Sequence, residues 1–127
     1  MTAADVLAGL ATRPRTLPAK YFYDEAGSRL FDEITRLDAY YPTRTERAIL
    51  TDNADAIVDA IGRQSALIEY GSGSSDKTRI LLDALHARRT LAAYVPIDIS
   101  EAFLLETADR LRHQYDGLPV LHVAADY

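Results

Sequence analysis

With 127 residues, 48% of them hydrophobic and 26% charged, the chain holds one modest core at most and is small for an enzyme. Its formal net charge is −5, and the basic clusters at Arg13 to Arg15, Arg44 to Arg47 and Arg88-Arg89 are short and interleaved with acids, which argues against nucleic acid as a partner. Cysteine is absent, no apolar run approaches the roughly 20 residues of a membrane helix, and no basic-then-apolar leader is present, so disulfide chemistry and a membrane partner are not expected and a cytoplasmic location is.

In chain order, Thr2 and Asp5 have capping-box spacing ahead of Val6, Leu7 and Leu10, and Pro14 and Pro18 end the short helix they open. Lys20 to Asp24, KYFYD, is an aromatic cluster of unassigned conformation. Ser28 is the expected cap of a second helix that turns Leu30, Phe31, Ile34 and Leu37 inward. Thr43 and Glu46 repeat the capping-box spacing. Leu50, Ala54, Ile57, Val58 and Ile61 then fall on one helical face, which Gly62 closes.

From residue 66 the texture changes. A short buried-type strand, Ala66 to Tyr70, is followed by a helix that begins near Ser75 or Asp76 and carries Ile80 to Leu85. Leu91 to Ile99 is a second strand, with Asp98 at its end. Ser100 is the expected cap of a helix burying Phe103, Leu104, Ala108 and Leu111. After a turn at Asp116-Gly117, Leu118 to Ala125 is a third strand. This β-α-β-α-β order predicts an α/β fold: a helical segment over residues 1–62, then the first half of a Rossmann-like, doubly wound parallel sheet over 63–127. Such sheets bind ligands outside the carboxyl ends of their strands. The second wall of that crevice is expected to lie beyond Tyr127, so the chain reads as the front portion of a longer protein.

The strand-to-helix turn EYGSGSSDKT, residues 69–78, gives the first chemical signal. Gly71 permits a tight turn and Gly73 a close backbone approach, but Asp76 stands at the third glycine position of a dinucleotide fingerprint. A carboxylate at a helix N-terminus repels a pyrophosphate, so a nucleoside of lower anionic charge is the better ligand. Asp98 is placed to accept from both hydroxyls of a ribose, and Asp126-Tyr127 to meet the amino group and face of adenine. Together these features suit S-adenosylmethionine. Singly, each has an ordinary alternative: Asp98 as a helix cap, Tyr127 as packing, the glycines as a plain connection.

The segments LPAKYFYDEAGSRLFDEIT, YYPTRTERAIL, IEYGSGSSDKTRILLDAL, PIDIS and AADY resemble, in that order, the N-terminal half of the histidine-specific methyltransferase family, from about Leu17 to Tyr127. The resemblance implies S-adenosylmethionine as cofactor and Nα-trimethylation of histidine to hercynine, in ergothioneine biosynthesis. It implies that Gly71 contacts the cofactor by its backbone, that Lys77 reaches the methionine carboxylate, that Asp98 holds the ribose, and that Asp126 and Tyr127 frame the adenine. Family members often carry Phe where Tyr127 stands. On the substrate side it implies that Tyr40 binds the carboxylate end of the amino acid. Tyr23 would lie against the amine being methylated, as both a substrate-binding and a catalytic residue. The groups that read the imidazole would lie in the half of the protein outside this sequence.

An ammonium that becomes quaternary suits aromatic faces and phenolic oxygens, which eight tyrosines make available. Methyl transfer from a sulfonium is an in-line displacement, so aligning a neutral amine matters more than a strong base. His86, His113 and His122 lack metal-ligand spacing, and no metal is expected. Two alternatives stay open. One is a methyltransferase for another amino-acid amine; the other is a cofactor-binding or structural fragment without turnover.

Overall fold

A computed structural model describes residues 3–126; Thr2, half of the first expected capping box, and Tyr127 lie outside the described residues. The first helix, α1 (Ala3–Ala11), is tied to the neighbouring segment by Tyr21, whose hydroxyl donates to Asp5. Tyr21 belongs to a short 3-10 helix (Ala19–Phe22) that leads through Tyr23 to α2 (Glu25–Thr35).

The start of α2 corrects the expected cap. Asp24, not Ser28, precedes the helix, and its carboxylate accepts from the Gly27 N–H at 2.8 Å. Ser28 lies inside the first turn, buried. Glycine is required at 27 because a Cβ there would sit 1.6 Å from the Phe22 carbonyl oxygen. The apolar face of α2 is also narrower than expected. Phe31 turns inward, whereas Leu30, Ile34 and Leu37 are 64%, 42% and 56% exposed. The helix meets α5 (Glu101–Gln114) along one line, where Arg29 reaches Glu106 at 2.6 Å and covers the Phe103 ring.

The long helix α3 (Pro42–Ile61) begins with Pro42 in its first turn and Tyr41 before it, so Thr43 is not its cap. Proline brings the helical φ and suits the first helical position, so the helix starts ahead of Thr43, which lies inside it. The face from Leu50 to Ile61 does turn inward, with Val58 buried, and Gly62 ends the helix at φ 77°.

Three strands, β1 (Ser65–Tyr70), β2 (Leu91–Asp98) and β3 (Val123–Ala124), form a parallel sheet in that order. The helix between the first two, α4 (Arg79–Ala87), starts later than Ser75 or Asp76: Ser75 has φ 56°, outside the helical region, and 76–78 form a turn. Helices α4 and α5 pack around Tyr94 of β2, with Leu82, Ala108 and Leu111 fully buried against it. Arg88, just past α4, pairs with Asp55 and Asp59 and clamps α3 to this layer. The hydroxyl of Ser100 makes no capping bond to α5. Strand β1 alternates rather than being buried throughout: Leu67 and Glu69 face inward, while Ile68 and Tyr70 are 55% and 65% exposed.

The third strand is far shorter than Leu118 to Ala125. Pairing begins at Val120, where Tyr94 donates to Pro119 and accepts from Leu121, both at 2.9 Å, and resumes only at Val123. Alternate residues of a strand address the same neighbour, so the next donor towards the third strand falls on residue 96. That residue is Pro96, which has no N–H to give. The chain from Leu121 to His122 therefore leaves the ladder. Among the described residues, no helix is long and apolar enough to cross a membrane.

Candidate functional site

The site lies where β1 and β2 end. Gly71 and Ser72 donate their N–H groups to the Ile97 carbonyl at 2.9 and 3.1 Å, which folds the glycine turn over the end of β2. Gly73 has φ 50°, and a Cβ added to it would meet nothing within 4 Å, so its glycine serves the backbone conformation rather than space. The Gly73 N–H donates to Asp98 Oδ2 at 2.9 Å, and the Ser100 N–H donates to Asp98 Oδ1 at 3.1 Å. Asp98 is thus buried, fixed by two backbone amides, and still has lone pairs for two further donors.

Beneath the turn lies a polar network. The Tyr94 hydroxyl donates to Glu69 Oε2 and meets Ser75 Oγ at 2.9 Å, and the Thr78 hydroxyl donates to the other oxygen of Glu69. Burial pushes the Glu69 carboxyl above its usual range, only partly offset by those donors, and pushes the Tyr94 phenol up as well. The network ties the turn to the core strand.

Above the turn, a cavity of about 440 Å³ is lined by Lys20, Tyr23, Phe31, Asp32, Gly71, Gly73, Asp98, Phe103 and Asp126, among others. Its described walls carry three carboxylates and one ammonium. Lys20 donates to Asp126 Oδ2. Asp32 has its carboxyl raised by burial and by the nearby Asp76, against a lowering hydrogen bond from Ser74.

A second cavity of about 340 Å³ adjoins the first, sharing Phe31, Asp32, Gly71 and Gly73, and is lined further by Tyr40, Arg44, Glu46 and Lys77. Lys77 donates to Glu46 Oε2 at 2.5 Å, so its ammonium already sits on one carboxylate at that wall. Phe31 stands between the two tyrosines: its ring is edge-on to Tyr23 at 5.9 Å and to Tyr40 at 6.0 Å. One aromatic row therefore joins the two cavities.

Of the residues singled out from the sequence, Tyr23, Gly71, Asp98 and Asp126 line the first cavity, and Tyr40, Gly71 and Lys77 the second. Tyr127 lies outside the described residues. Sequence reasoning treated Phe31 as core, gave Glu46 only a place in a capping box, and assigned no role to Lys20 or Asp32. Each sits in a segment that carries the family resemblance (AKYFYD, LFDEIT, TRTERA), and that was the available signal. Among the described residues, no group of three or more His, Cys, Asp or Glu could hold a metal ion.

Comparison with known proteins gives a consistent result. The family model described as "Histidine-specific methyltransferase, SAM-dependent" matches residues 2–127. A histidine N-alpha-methyltransferase of Mycobacterium tuberculosis (strain CDC 1551 / Oshkosh) is 46% identical over 123 residues, covering 97% of this chain and 38% of that protein. A 4-dimethylallyltryptophan N-methyltransferase of Penicillium roqueforti is 37% identical over 109 residues, 86% of this chain and 32% of that protein. The ergothioneine biosynthesis protein 1 of Schizosaccharomyces pombe is 37% identical over 99 residues, 76% of this chain and 13% of that protein. The chain thus spans 38% or less of the length of each of these relatives.

Proposed function

The chain belongs to the histidine-specific, SAM-dependent methyltransferase family, and from that membership we propose that the whole protein methylates the α-amine of L-histidine, through to the trimethylated product hercynine, in ergothioneine biosynthesis. One observation carries the reading: Tyr23, the glycine turn, Asp98 and Asp126 share a cavity whose described walls carry three carboxylates and one ammonium. That balance suits S-adenosylmethionine, which brings a sulfonium and an ammonium, and disfavours a pyrophosphate. In the same reading, residues 63–127 are the first half of a Rossmann-like sheet. Residues 1–62 contribute to the amino-acid site, and the imidazole is read by a part of the protein outside this chain.

When bound, the cofactor supplies an electrophilic methyl group on a positively charged sulfur. The residues of this chain bind and align. Asp98, already oriented by two amides, accepts from the ribose hydroxyls. Asp126 would accept from the adenine amino group; the partner role for Tyr127 falls on a residue outside the described ones. The Gly71 backbone would contact the cofactor, and Lys77, now on Glu46, would reach its methionine carboxylate. On the substrate side, Tyr40 receives the carboxylate end. The Tyr23 hydroxyl orients the neutral amine, whose lone pair must point along the sulfur–methyl axis. Phe31, between them, presents an aromatic surface to the growing quaternary ammonium.

Mass spectrometry of histidine incubated with the whole protein and S-adenosylmethionine tests this. Successive gains of one, two and three methyl groups are the expected result. Methylation of a tryptophan-type amine with none on histidine would move the acceptor to another amino acid. Failure to bind S-adenosylhomocysteine would reject the cofactor reading altogether.

A further inference from the structure

Lys20 and Asp126, separated by 106 residues, meet at the first cavity, where the ammonium donates to Asp126 Oδ2. Lys20 is not held by this carboxylate alone. It lies 5.6 Å from the centroid of the Tyr21 ring, and the Tyr21 hydroxyl is anchored on Asp5 of α1. The hydrogen bond to Asp126 also raises the Lys20 pKa. Three residues further on stands Tyr23, on the wall of the same cavity.

We propose that Lys20 is a positioning residue for the nucleoside: it fixes Oδ2 of Asp126, leaves Oδ1 free to accept from an exocyclic amino group, and couples the segment bearing Tyr23 to that carboxylate. The assignment rests on Asp126 being the adenine acceptor. Its physical basis is charge and orientation. A carboxylate has room for several donors, and occupying one oxygen restricts how the other can point. Without the ammonium, Asp126 would add to the negative charge of Asp32 and Asp98 on the same cavity. The two side chains are 34% and 57% exposed, and exposed ion pairs contribute little to folding. The effect of losing Lys20 therefore falls on ligand binding rather than on stability.

A double-mutant cycle on the full chain, read by calorimetric binding of S-adenosylhomocysteine, tests this. Lys20→Met weakens binding about tenfold, and Lys20→Arg stays within about threefold of wild type, because a guanidinium can keep the contact. In an Asp126→Asn background, Lys20→Met costs less than about a further twofold, since the two residues act as one unit. Melting temperatures stay close to wild type throughout. Wild-type affinity in Lys20→Met, or losses that multiply independently, would overturn the assignment. So would a marked fall in melting temperature, which would make the pair a fold contact. If the wild-type protein itself fails to bind S-adenosylhomocysteine, the methyltransferase reading fails with it. Binding by wild type with no effect of Lys20→Met removes only the role of Lys20.

Discussion

Gly73 and Asp98 are joined across 25 residues of sequence by a 2.9 Å hydrogen bond from the glycine N–H to Asp98 Oδ2. The bond links the turn after β1 to the end of β2, so the two parts of the proposed cofactor site are held in register before any ligand arrives. Asp98→Asn keeps the shape but leaves one oxygen for two donating amides. Expected consequences are a loss of about 1 to 3 kcal/mol in urea denaturation and roughly tenfold weaker S-adenosylhomocysteine binding.

The two glycines at 27 and 73 are required for different reasons, and alanine separates them. Gly73→Ala meets no atom and suffers only the positive φ, a cost of about 1 kcal/mol. Gly27→Ala drives a methyl into the Phe22 carbonyl and must displace the Tyr23 segment. It is expected to cost about 1 to 3 kcal/mol and to lower turnover as well. Urea midpoints and initial rates, compared side by side, check the contrast.

The Tyr94 hydroxyl is the hub beneath the turn, shared between Ser75 and Glu69. Tyr94→Phe leaves the ring packed but deprives a half-buried carboxylate of a donor. We expect a loss of about 1 to 3 kcal/mol, measured by chemical denaturation at neutral pH.

Glu69 also sets a pH dependence. Burial raises its carboxyl above the ordinary value of 4.5, so between that value and its folded pKa the native state binds more protons than the unfolded chain. The stability it contributes is therefore present below about pH 4.5 and is lost as pH rises through the folded pKa. Asp32, raised for the same reason, acts in the same direction. Unfolding free energies measured from pH 4 upwards should decline less steeply in Glu69→Gln than in wild type. An unchanged slope would show that Glu69 does not titrate in that range.

Tyr23 is 41% exposed, so its hydroxyl is not needed for the core. Tyr23→Phe should leave the melting temperature unchanged and slow histidine methylation by about 10- to 100-fold, through misalignment of the amine. Equal rates in the two proteins would remove Tyr23 from the mechanism.

Periodicity and punctuation were enough to locate most elements. The inward face of α3, its stop at Gly62, the glycine turn, the strand ending at Asp98 and the buried face of α5 all depend on neighbours within a few residues. The errors arose where a local signal had a competitor close by. Asp24 took the cap expected of Ser28, Pro42 started α3 ahead of Thr43, and Ser75 with its positive φ stands outside α4. Pro96 was visible in the sequence, but its effect falls on another strand: it interrupts β3 by withholding a donor.

The sequence by itself determined the order of most elements, the place of the glycine turn and the family, because these reside in short contiguous words. Tertiary structure alone decided which of those words share a wall. Phe31 between Tyr23 and Tyr40, Lys77 on Glu46, and Lys20 on Asp126 are meetings of side chains brought together by packing. The physical reason is that a cavity is the space left when layers pack around a core such as Tyr94, Leu82 and Leu111. No stretch of chain encodes that space by itself.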